Sequence, residues 1–154
     1  MTLGRLRGDG GTAVVEFVLL GVLLLLPIVY AVLTALTVQR SAYALTAATR
    51  EAGRVFAHEG GGASAYDHAY LAARVAMRDQ GLDLEPAELR ITCEPVECGT
   101  PGGHIQVSID RQVPLPLLPA FGQNTPSIAV HGRHDEVVDC FASGTAQGGV
   151  GLCG

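Results

Sequence analysis

From Thr12 to Val38 the chain is almost wholly apolar. Phe17 to Leu36 alone supplies 20 residues, about 30 Å as an α-helix, which matches the hydrocarbon core of a bilayer. The run is roughly twice the core of a secretory signal, and no small-x-small site closes it. A spanning helix is therefore expected, not a removed signal. Pro27 falls mid-span and is expected to kink the helix, which membrane helices tolerate. The rest of the 154 residues suffices for one small domain and not two.

All ten basic residues are Arg, and the net charge is −5. No basic stripe exists to displace counterions from a phosphate backbone, so no nucleic-acid partner is expected. Arg5 and Arg7 precede the apolar run and Arg40, Arg50 and Arg54 follow it, so the positive-inside rule does not decide orientation. The four cysteines, Cys93, Cys98, Cys140 and Cys153, all lie beyond the run. An even number in a small loop-rich region reads as disulfides in an oxidising compartment. That places the C-terminal part outside the cytoplasm and the N-terminus inside. Four cysteines allow three connectivities, and local loop closure favours Cys93–Cys98 and Cys140–Cys153. A zinc site is the rival reading, but Cys-x4-Cys is loose for zinc and no second close Cys pair or His partner follows it.

The helical pattern continues past the apolar run. Val38, Ala42, Leu45, Thr49, Ala52 and Phe56 recur at steps of four and three, with Arg40, Arg50, Glu51 and Arg54 off the seam. A continuous helix from Thr12 to Ala57 would measure about 69 Å, and Gly60, Gly61 and Gly62 then break it. A second helix is expected from Ser64, with Ser64 and Asp67 resembling a capping box. Tyr66, Tyr70, Ala73 and Met77 form one face for packing, and Gly81 is its stop. After Pro86 the period changes to two. Leu89, Ile91 and Cys93, then Ile105, Val107 and Ile109, then Ile128 and Val130 read as three antiparallel strands. Pro114 to Pro119 cannot be regular strand. The fold class is α+β: a long N-terminal helix, half transmembrane and half exposed, then a second helix and a small antiparallel three-stranded sheet. The expected divisions are a leader at 1–11, a transmembrane helix at 12–38, an extracytoplasmic α+β domain at 39–141 and a Gly-rich tail at 142–154.

The residue that carries most chemistry is Glu16, a carboxylate in the first turns of an apolar helix. An acidic group at bilayer depth costs a few kcal/mol and needs a partner. Its context is Gly10-Gly11-Thr12-Ala13-Val14-Val15-Glu16-Phe17. This stretch resembles the processing site of type IV pilin-like proteins, in which a membrane aspartyl peptidase cuts after a Gly and a Glu stands fifth in the mature chain. A cut after Gly11 makes Thr12 the first residue and Glu16 the fifth. The Glu16-Phe17 pair looks most like the Flp branch, and the Ala/Arg/Gly-rich stretch from Thr46 to Arg54 is similar to the TadE family of the tight-adherence pilus system. The resemblance covers Gly11 to about Arg54 well and the remainder loosely, and Pro27 falls further along than the family's proline. It implies a minor pseudopilin. Its partners would be other pilin or pseudopilin subunits, a prepilin peptidase, the membrane and the Tad assembly machinery. The new ammonium at Thr12 would pair with Glu16 of a neighbouring subunit and set axial register, as a lone polar residue does in a coiled coil.

No nucleophile motif, phosphate loop or dinucleotide fingerprint is present, and no cofactor is expected. His58, His68, His104, His131 and His134 are scattered. The stretch from His131 to His134 is expected at a strand end with only Asp135 and Glu136 beside it, as solvated surface and not a metal or catalytic group. Two other classes compete. One is an uncleaved, membrane-anchored extracytoplasmic binding protein, which differs in keeping Gly11–Thr12 intact. The other is an anchored enzyme using the cysteines or histidines, which two stable disulfides and no metal would exclude.

Overall fold

A computed structural model describes residues 12–94, 97–116 and 125–139. The fold is α+β: helix α1 (Thr12–His58), helix α2 (Ala63–Asp79), a 3-10 turn (Pro86–Glu88), and strands β1 (Leu89–Glu94), β2 (His104–Pro114) and β3 (Ser127–Val137). Contacts divide the chain into two units, Met1–Leu36 and Thr37–Gly154.

Helix α1 runs 47 residues through Pro27 without interruption. Its hydroxyl side chains turn back on their own backbone. Thr34 donates to the Tyr30 carbonyl at 2.9 Å, Ser41 to Thr37 at 3.1 Å, Thr46 to Ala42 at 2.8 Å and Thr49 to Leu45 at 2.9 Å. Each hydroxyl is thereby satisfied without water. The helix ends at Gly60, Gly61 and Gly62, whose φ values of 74°, 82° and 98° would strain any residue carrying a Cβ.

Helix α2 buries Ala65, Ala69, Ala73 and Met77. Tyr66 and Tyr70 flank this stripe, half-buried, and their hydroxyls donate to the carbonyls of Leu89 (3.1 Å) and Leu84 (2.9 Å). The expected capping box does not form. The N-cap is Gly62, with no side-chain cap bond, and Ser64 lies inside the first turn. The glycine run places the N-cap two residues earlier than the Ser64 pattern implied, at Gly62.

The sheet has order β1-β2-β3, antiparallel throughout. Ile105, Val107 and Ile109 point into the core with Leu45, Ala48, Ala52 and Phe56 of α1. Burying each Ile or Val is worth roughly 1.5–3 kcal/mol. The strand seam on α1 is broader than the sequence pattern, because Ser41, Ala44 and Ala48 are also buried. Helix and sheet meet closely at two glycines. A Cβ on Gly132 would stand 2.7 Å from the Leu45 Cβ, and one on Gly53 would stand 3.2 Å from the His134 ring.

β3 departs from expectation. It runs to Val137, so His131–His134 lies mid-strand and not at a strand end. His131 also has a carboxylate the sequence reading missed: its Nδ1 lies 2.6 Å from Asp110 Oδ1 across the β2–β3 register.

Candidate assembly site on the N-terminal helix

Thr12 is the first residue of α1, so Glu16 follows one turn later. Residues four apart share a helix face, separated by about 6 Å along the axis. Gly11 lies outside the described residues. Glu16 is solvent-exposed and has no hydrogen bond or ion pair among the described residues. Phe17 is 77% exposed, and large apolar side chains from Val14 to Leu36 are likewise bare. This helix is long and apolar enough to cross a membrane, and none of its most apolar 18-residue window is buried. A carboxylate without a partner among the described residues, on an otherwise apolar surface, is the defining geometry of the site.

A second polar group along the same stretch was missed. The Tyr30 hydroxyl is buried and has no hydrogen-bond partner among the described residues. Its signal was in the sequence, as a phenol three residues after Pro27 in an apolar run. Buried polar groups normally find a partner, so this one stands out.

Cys93 and Cys98 form a disulfide, with Cα atoms 5.3 Å apart. Cys140 and Cys153 lie outside the described residues. The disulfide loop is held from three sides. Cys93 anchors it to β1. Gly102 donates to the Val138 carbonyl and Val138 donates to Gly103, which tie it to the end of β3. Cys98 and Gly99 press against Gly61 and the Gly60 carbonyl, leaving no room for a Cβ on Gly61 or Gly99.

The outer sheet face carries a depression of about 510 Å³ lined by Thr92, Glu94, His104, Gln106, Arg133 and Asp135. Its groups engage one another: Gln106 donates to Asp135 at 3.1 Å, and Arg133 lies 3.6 Å from the same carboxylate. His134 is paired with Glu136 at 3.0 Å. Among the described residues no group of three His, Cys, Asp or Glu could hold a metal ion. No family model, curated protein or solved structure matches the chain.

Proposed function

We propose that the chain is a minor pseudopilin, an assembly subunit of a Tad-type pilus, processed after Gly11 and packed through its N-terminal helix. Glu16 carries this reading. It is a lone carboxylate, without a partner in its own chain among the described residues, on a bare apolar helix one turn after Thr12. Processing removes Arg5 and Arg7 and leaves an ammonium at Thr12. Helix geometry then sets the pairing. For Thr12 of one subunit to meet Glu16 of its neighbour, parallel helices must be offset by about 6 Å. A charged pair in a low-dielectric setting tolerates little deviation, so it acts as a register pin more than as a source of affinity. The disulfide Cys93–Cys98 fits an extracytoplasmic domain, with the N-terminus cytoplasmic and the helix as a single membrane pass.

The test is the intact mass and N-terminal sequence of the protein purified from its native membrane. A chain beginning at Thr12 supports the assembly role. A chain beginning at Met1, with active prepilin peptidase present, overturns it and leaves the uncleaved membrane-anchored binding protein as the reading.

A further inference from the structure

β3 runs beside α1 in the same direction. A Cβ on Gly132 would stand 2.7 Å from Leu45, and one on Gly53 would stand 3.6 Å from Glu136. The two contacts agree in spacing. Leu45 to Gly53 is about 12 Å of helix, and Gly132 to Glu136 is about 13 Å of strand. Traced the other way, Ile128 lies about 13 Å before Gly132. That is level with Thr37, about 12 Å before Leu45. Thr37 opens the compact unit, and the apolar run of α1 ends at Val38. With α1 across a bilayer, this level is the membrane surface. β1 stops short of it, since its first residue, Leu89, pairs with Ile109. β2 and β3 go on, through Val113 opposite Ile128 to Leu115, which donates to the Pro126 carbonyl at 2.9 Å.

The residues at this end suit a lipid boundary. From Gln112 to Val130 the sequence holds no charged or titratable residue. Ile128 is 39% exposed, and Leu115 and Pro116 are half-buried. The residues that join the two strands include Leu117, Leu118 and Phe121. The opposite end of the sheet carries Glu94, His104, Asp135 and Glu136 instead. Backbone is what keeps most non-helical segments out of hydrocarbon, because an N–H that leaves water without a partner costs several kcal/mol. Pro114, Pro116, Pro119 and Pro126, four of the chain's eight prolines, have no N–H to strand.

We propose that the end of the β2–β3 ladder, at Leu115 and Ile128, is a membrane-contact surface that enters the acyl–headgroup boundary of the leaflet on the sheet's side. The inference rests on α1 spanning a membrane and not on processing at Gly11. The contact is shallow. Apolar faces lying in an interface reach about 5–10 Å into the headgroup–acyl boundary, and two or three strand residues supply that depth. A second point of attachment beside the helix fixes which end of the sheet meets the lipid. It leaves the end with Glu94, His104 and Asp135 in water.

The chain contains no Trp, so a single introduced indole reports its own surroundings. The full-length protein is placed in nanodiscs of phosphatidylcholine and phosphatidylglycerol, with and without bromine on the acyl chains. It is studied as Leu115→Trp, Ile128→Trp, Val29→Trp and Val137→Trp, each checked for folding by circular dichroism. Leu115→Trp and Ile128→Trp are expected to lose more emission to lipids brominated near the headgroup than to lipids brominated near the chain ends, and to resist aqueous iodide. Val29→Trp, in the middle of the span, should show the reverse order of the two brominated lipids. Val137→Trp, 51% exposed at the far end of β3, should answer to iodide alone. Ile128→Trp, at an exposed position, carries the test should Leu115→Trp unfold. Indoles at the ladder's end that are quenched by iodide and not by bromine overturn the proposal. So do indoles shielded from both, since that end then packs on protein, either its own helix or a second copy. Loss of bromine quenching at Val29→Trp as well means that α1 is outside the bilayer, and the membrane reading then fails together with the proposal.

Discussion

A methyl group at position 132 would press within 2.7 Å of the Leu45 Cβ and 3.1 Å of that residue's backbone. The backbone cannot give way without moving α1 from the sheet. Gly132→Ala should therefore lower stability by about 1–3 kcal/mol, as overpacking does, measured by denaturant unfolding of the full chain in micelles. Gly53→Ala is the control. There the nearest atom belongs to a side chain, His134 at 3.2 Å, and replacing glycine inside a helix returns about 0.8–1 kcal/mol. The two effects nearly cancel, so little net change is expected. A loss at Gly53 as large as that at Gly132 would show the helix–sheet contact to be misjudged. At Glu16 the exposed carboxylate has no partner of its own among the described residues, so Glu16→Ala should leave folding and insertion unchanged and abolish incorporation into pili. Membrane fractionation and recovery of sheared filaments measure the two separately. Insertion failing together with assembly would count against the register role.

The disulfide loop acts as a clasp between β1, the end of β3 and the turn that joins the helices. Cys93→Ser with Cys98→Ser should cost about 2 kcal/mol on chain-entropy grounds for so short a loop, read as a lower melting temperature than that of the oxidised wild type. Tyr66→Phe should cost about 1 kcal/mol by leaving the Leu89 carbonyl to water. Much of this element order could be read from periodicity alone. The Val38–Phe56 seam and the alternation of Ile105, Val107 and Ile109 are strong, because burial on one face writes itself directly into residue spacing. β3 was harder to read. Gly132 and the five titratable residues from His131 to Glu136 look like a strand end, yet Gly132 is there to let α1 approach, and the charges face outward or pair. The Ser64 cap misled for a different reason: three successive glycines already supply the turn, so no side-chain cap is required. The Glu16 site was visible as one carboxylate in an apolar run. Tyr30 went unremarked because a phenol among leucines looks apolar until its hydroxyl is found without a partner.

The chain carries an acid without a partner among the described residues near the head of an apolar helix, and a compact helix–sheet unit from Thr37 onward. Processing at Gly11 should shorten the chain by its first eleven residues, and a Gly11→Ala substitution should block that loss, as seen by intact mass in cells with an active peptidase. An odd number of antiparallel strands brings the chain out of the sheet at the end opposite to where it went in. Here that end lies beside the close of α1, where Ala57, His58, Gly60, Gly99, Val138 and Asp139 surround one small cleft. The point is about 32 Å along α1 from Thr37. It is consequently a handle for reporting sidedness. A protease site or epitope inserted directly after Asp139 would be cut or stained in intact cells only if the sheet faces outward, and it would do so without altering any residue of α1.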